Sequence, residues 1–220
     1  MNTFKPLLIS FLLLLSITSL GQSLTKGVVT YELKTYNTDD QIALEALGKS
    51  TVTIFFDDKH TATEMNMMGG AMIMKNISSN TDLQNPRVVI NLMGKKYEIT
   101  DAEETNDMDG GISLFKNIKS ITYNKKDTKE IMGYKCYRAN VTLKDGSTGV
   151  FYITNKIALV SLQIDNGLKL EGYPLEIQMK SMIVRANKVS KDLPVDSFTI
   201  PSGYQKVTMK EFERITSAGI

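Results

Sequence analysis

The sequence predicts a mainly β (α+β) protein built from antiparallel hairpins, with one to three short helices. Three observations predict it. Val, Ile, Thr and Tyr recur in short runs that alternate apolar and polar residues with a period of two, the pattern of half-buried strands. Turn dipeptides separate these runs at hairpin spacing: Gly69-Gly70, Gly94-Lys95 and Asp145-Gly146. Helical periods are scarce. About 200 residues follow the N-terminal leader, a length that suits one domain with a real core.

Residues 1–21 read as a secretory signal peptide. One positive charge, Lys5, precedes an apolar run centred on Phe11-Leu12-Leu13-Leu14-Leu15, and small residues Ser19 and Gly21 precede a cut before Gln22. The run is shorter than the roughly 20 residues that span a bilayer. No Cys stands there to be acylated, so a soluble exported protein is expected, periplasmic or extracellular, with no membrane span in the mature chain. Residues 22–220 form the single domain.

Gly27 to Tyr36 alternates, with Val29, Tyr31 and Leu33 on one face. Thr38-Asp39-Asp40 can cap a short helix from Gln41 to Leu47. Ser50 to Asp58 is a strand with Val52, Ile54 and Phe56 in phase. His60 to Met68 and Ala71 to Ser78 form a hairpin about Gly69-Gly70. That turn pairs Met67 with Met72 and Met65 with Met74, four methionines on one face. Arg87 to Met93 and Lys96 to Thr100 form a second hairpin about Gly94-Lys95. Residues 101–111 are an acidic surface loop.

Ser120 to Asn124 is a short strand. From Asp127 the chain reads as a turn, an apolar anchor at Ile131-Met132, a pivot at Gly133 and a strand to Lys144. Asp145-Gly146 turns it back, so that Val141 faces Val150 and Ala139 faces Tyr152. Leu159 to Ile164 alternates weakly. Leu175-Ile177-Met179 and Met182-Val184-Ala186 have opposite parity with no turn residue between them, which predicts a bulge at Lys180-Ser181. Val195 to Ile200, between two prolines, reads as an edge segment. Thr208-Met209-Lys210-Glu211 is a capping box opening a helix from Met209 to Ser217 that docks Met209, Phe212 and Ile215.

Chemistry-bearing residues are few. His60 is the single histidine and Cys136 the single cysteine, so no disulfide or thiolate-rich metal site can form. No nucleophile elbow, dinucleotide, phosphate-loop or calcium-loop pattern occurs. Adjacent carboxylates Asp57-Asp58 and Glu103-Glu104 point to opposite faces on a strand and make no dyad. The net charge of +2 is spread among both signs with no Lys/Arg block, which leaves no footprint for nucleic acid or for an anionic membrane surface. Neither catalysis nor a cofactor is expected. Twelve methionines and no tryptophan suit plain core filling or a groove wall that adapts to apolar ligands of variable shape. The candidate ligand-binding residues are Met65, Met67, Met72, Met74, Ile90 and Leu92.

Lys129-Glu130-Ile131-Met132-Gly133-Tyr134-Lys135-Cys136, Gly172-Tyr173-Pro174-Leu175 and the run from Asp196 to Tyr204 resemble a family of exported bacterial proteins, domain of unknown function 4412. The resemblance covers residues 27 to 207. That family looks related to the lipoprotein carriers LolA and LolB. The relation implies a strongly curved antiparallel sheet, or open half-barrel, around an apolar cavity, with lipid or lipoprotein acyl chains as partners and no catalysis. The low helical content departs from the carriers, and none of their specific residues can be transferred. The rival readings are an envelope structural or protein-interaction module without a ligand cavity, and a hydrolase that would have to use His60 or Cys136.

Overall fold

The computed structural model describes residues 23–35, 50–101, 115–158 and 168–217. The expected signal peptide, the helix expected from Gln41 to Leu47, nearly all of the expected acidic loop and the segment from Leu159 lie outside them. The described residues form one open sheet of twelve strands and one α-helix. In chain order the strands are β1 (Gly27–Thr35), β2 (Thr51–Phe56), β3 (His60–Met67), β4 (Met72–Ser79), β5 (Asp82–Leu92), β6 (Lys95–Ile99), β7 (Ile118–Ile131), β8 (Tyr134–Leu143), β9 (Thr148–Thr154), β10 (Tyr173–Gln178), β11 (Met182–Ser190) and β12 (Gln205–Val207). Helix α1 spans Met209–Ser217. Their order in the sheet is β12-β6-β5-β4-β3-β2-β1-β11-β10-β9-β8-β7, antiparallel throughout except for β12 on β6.

The sheet curls. β2 and β10 lie three steps apart, about 14 Å in a flat sheet, yet the rings of Phe56 and Tyr173 have centroids 5.8 Å apart. Tyr31 on β1 donates its hydroxyl hydrogen to the Pro174 carbonyl, two strands away, at 2.8 Å. Residues 173–177 of β10 are all buried, so this central strand is covered on both faces.

Alternation places one apolar face across the whole sheet. Tyr123, Ala139, Phe151, Ile177, Val184 and Leu33 stand directly opposite one another from β7 to β1. Ala186, Tyr31, Val52, Met65, Met74, Ile90 and Tyr97 continue the face from β11 to β6. α1 packs on its β4-β5-β6 end, where Met209 and Phe212 are buried with Val88, Ile90, Tyr97 and Ile99. The capping box forms as predicted. Glu211 N–H donates to Thr208 Oγ1 at 3.2 Å, and Thr208 N–H donates to the Glu211 carboxylate at 2.8 Å. That amide bond holds the Glu211 carboxyl below its usual range.

Four turns differ from expectation, each for a local reason. The β5–β6 turn is Met93-Gly94, one residue earlier than predicted, so Ile90 rather than Leu92 faces Tyr97. The β8–β9 loop has three residues, Lys144 to Gly146, with Leu143 and Ser147 closing it and Gly146 at φ 86°. The extra residue slips the pairing by one: Val141 faces Gly149, and Ala139 faces Phe151. Lys180-Ser181 is a hairpin turn, not a bulge, because Met179 N–H donates to the Met182 carbonyl and Ile177 pairs with Val184. Neither turn residue has a positive φ, so the turn carries no Gly or Asn signal. Residues 195–198 form a turn off the sheet, with Ser197 bonding back to the Pro194 carbonyl through both N–H and hydroxyl.

The turn expected at Asp127 is a bulge inside the 14-residue β7. Asn124 Oδ1 accepts from the Lys126 and Asp127 N–H groups there. Ile131 is buried, but Met132 is exposed at the hairpin tip.

Candidate functional site

The six candidate residues are brought together. Met65, Met74 and Ile90 are direct neighbours across β3, β4 and β5, and Met67, Met72 and Leu92 form the next row toward the hairpin tips. The Met67–Met72 and Met65–Met74 pairs are those the sequence predicts. The loop is longer than a two-residue turn, because Met68, Gly69 and Gly70 all take positive φ before Ala71 returns to φ −64°. The inner row is nearly closed: Ile90 is 0% and Met74 is 5% exposed. The outer row is half-buried at all three positions. α1 therefore covers Met74 and Ile90 and leaves Met65 and the outer row half-buried. Two surface concavities among the described residues measure about 450 Å³, beside Arg138, Asn140 and Gln178, and about 720 Å³, beside Leu24, Lys26, Tyr134 and Lys156. Neither touches the six-residue block.

The opposite face of the sheet carries a polar row. Arg138, Tyr152, Glu176, Arg185 and Glu32 are successive cross-strand neighbours from β8 to β1. Glu176 is 2% exposed. Its carboxylate accepts from Lys129 Nζ and Gln178 Nε2 and pairs with Arg185 Nε at 3.3 Å. Lys129 also lies 4.0 Å over the Tyr152 ring. This network pins β7 across β8 and β9 onto β10. Glu176 and Lys129 are the pair that sequence reading missed, since they are 47 residues apart and meet only through the curl.

The pair's energetics are asymmetric. Lys129→Ala leaves a buried carboxylate with the neutral Gln178 amide and one cation, Arg185, which is 51% exposed and hydrated. A loss of about 2–3 kcal/mol is expected. Glu176→Gln leaves partly solvated cations instead and should cost about 1 kcal/mol. Equal losses in urea unfolding would refute this picture of the network.

No arrangement for catalysis emerges from the two reactive side chains. His60 stacks on Phe198 with centroids 5.2 Å apart and stands 3.6 Å from Asp57, whose carboxylate caps the Lys59 and His60 amides. Cys136 is fully buried with Ile131, Tyr31, Tyr173 and Leu175. Burial pushes its thiol up to about 11, with Lys129 opposing the shift, so it is an inert core residue. Among the described residues no group of three His, Cys, Asp or Glu side chains is placed to hold a metal ion. No described helix is long and apolar enough to cross a membrane.

No family model matches the chain, and no curated protein matches it. Among solved structures it is similar to MucB, at 9% identity over 82% of this chain and 59% of that one, with a TM-score of 0.36. A DUF1329 family protein from Desulfovibrio piger matches at 10% identity over 82% and 92% of the two chains, TM-score 0.35. The lipoprotein LppX from Mycobacterium tuberculosis matches at 12% over 78% and 90%, TM-score 0.33. The chain thus spans about three-fifths of MucB. Likenesses of this size assign no activity, ligand or partner. The resemblance to domain of unknown function 4412 rests on its short motifs alone.

Proposed function

We propose that the protein is an exported binding module whose apolar sheet face takes an acyl chain or another elongated apolar ligand. The observation that carries this reading is the half-buried set of Met65, Met67, Met72 and Leu92, standing beside the buried Met74 and Ile90. A chain that covers about 200 Å² of such surface gains about 5 kcal/mol before ordering costs. Methionine lets the wall adapt to the ligand's shape. The signal peptide supplies the export.

The test uses the exported protein, whose N-terminus should read Gln22. Native mass spectrometry of protein purified without detergent should show bound lipid, and an apolar fluorescent probe should bind with enhanced emission. Met72→Asp with Leu92→Asp should abolish probe binding, because each places a charge on the rim while the deep row stays packed. Absence of both lipid and probe binding in the wild type would end this reading. It would favour the second one, which the packing of α1 on Ile90 and Tyr97 supports: a module whose face is filled by its own side chains and which contacts a protein partner.

A further inference from the structure

Three hairpins turn on the same dipeptide: Met68-Gly69, Met93-Gly94 and Met132-Gly133. In each, the methionine holds a left-handed conformation, φ 54°, 51° and 52°, and among the described residues no other non-glycine residue does so. Turns of this kind favour Asn, Asp or Gly at that position, and a long side chain is disfavoured there. Met68 is nevertheless 57% and Met93 69% exposed. The methionine side chain thus meets an unfavourable backbone and gains no packing inside the fold. Something outside the chain is the natural counterpart.

Met68 and Met93 share one end of the sheet. β3 and β5 run parallel to each other, each antiparallel to β4 between them, so both tips leave the sheet on the same side. The Met93 N–H donates to the Ala71 carbonyl at 2.7 Å, which ties the two tips together. Counting antiparallel steps through the sheet places Met132 at the other end. Beneath the paired tips stands the half-buried row of Met72 and Leu92, so exposed apolar tip and apolar wall are continuous. Close to the paired tips the charge is basic, while an acid at this end of the sheet, Asp145, stands on the β8–β9 turn, five strands from β3. Lys95 and Lys96 are exposed and have no ion-pair partner among the described residues. Residues 65–75 and 91–97 contain no Asp or Glu.

We infer that the paired tips form a docking surface for an anionic lipid bilayer. Met68 and Met93 enter the headgroup–acyl boundary while Lys95 and Lys96 meet the lipid phosphates. Two unbranched, adaptable side chains on narrow projecting turns suit a fluid interface. Protein hot spots instead favour Trp, Tyr and Arg in well-packed patches. No basic block exists in the sequence, so the attraction to an anionic leaflet rests on Lys95 and on Lys96, which also lies 5.8 Å over the Tyr204 ring. This contact goes beyond the ligand reading and can fail separately from it, since probe binding is measured without vesicles.

The decisive variant is Met68→Asn with Met93→Asn. Asn suits both backbones, so the double variant should melt at the wild-type temperature or above it. The purified exported protein is sedimented with vesicles of phosphatidylglycerol and phosphatidylcholine. Wild-type protein should co-sediment, the double Asn variant should bind about tenfold more weakly, and Lys95→Gln with Lys96→Gln or high salt should also weaken binding. Wild-type protein that leaves the vesicles untouched, or a folded Asn variant that binds as tightly as wild type, would overturn the proposal. So would self-association of the wild type in solution that the Asn changes abolish without any vesicle binding, which would make the tips a contact between copies of this chain.

Discussion

Phe151→Ala is expected to remove about 3–5 kcal/mol of stability, the largest loss from any single truncation on the apolar face. Phe151 has no exposed surface. It stands between Ala139 on β8 and Ile177 on β10, and Phe115 meets it edge-on with ring centroids 5.9 Å apart. Ile118, Val141, Ile153 and Leu170 complete its surroundings. The small Ala139 opposite the large ring leaves no neighbour able to swell into the space. The lost transfer energy and the remaining cavity therefore add. Typical domains have only about 5–15 kcal/mol in total, so the variant should lose about a fifth of its stability or more. Urea unfolding should show the midpoint falling at an unchanged slope. Met72→Ala, on the half-buried rim, should cost about 1 kcal/mol. Similar losses at the two positions would mean that the rim is as closed as the core, which would remove the ground for a ligand there.

The contrast between these positions also marks what the sequence reveals. Alternation alone placed Val29, Tyr31 and Leu33 inside, and all three are buried. Gly69-Gly70 pinned the methionine register because glycines announce positive φ. The capping box announced α1 because both of its partners are local in sequence. Errors arose where the signal was missing or shared. Lys180-Ser181 turns with negative φ and so has no special residue. Asp145-Gly146 suits a two-residue and a three-residue loop equally, and the choice between them moves every later partner by one. Asn124 to Asp127 has turn chemistry that the structure uses for a bulge.

The site divides along the same line. The six-residue block follows from register, which is local. The cover that α1 lays over Ile90 does not, because it depends on β12 pairing with β6 across more than a hundred residues of chain. The Glu176–Lys129 pair likewise depends on the curl of the sheet, which no pairwise pattern encodes. Met-Gly, by contrast, is plainly written three times. Its meaning became visible only when the structure showed each methionine exposed in a conformation that glycine or asparagine would hold at less cost.

Alkaline pH is expected to unfold the protein before its surface charges alone would. Tyr31 and Tyr173 are buried at 3% and 4% exposure, and burial raises both phenols above their ordinary value of 10. Burial also lifts the Cys136 thiol to about 11. In each case the folded group stays neutral at a pH where the unfolded group has ionised. Such groups contribute full stability below the unfolded value, near 8.5 for a thiol and 10 for a phenol. That contribution is lost as pH rises toward the folded value, at about 1.4 kcal/mol per pH unit for each group. Between pH 9 and pH 11 the three together should remove on the order of 4 kcal/mol. Tyr173 offers a clean control. Its buried hydroxyl makes no hydrogen bond of normal geometry and lies beside the Tyr31 hydroxyl, whose own hydrogen goes to the Pro174 carbonyl, so Tyr173→Phe should leave stability at pH 7 unchanged or higher and should flatten the alkaline decline. The measurement is urea unfolding from pH 7 to pH 11, with phenolate absorbance followed in parallel. Phenolate that appears near pH 10 while the protein remains folded would show these rings to be open to water, and the packing of β1 against β10 would then have to be different.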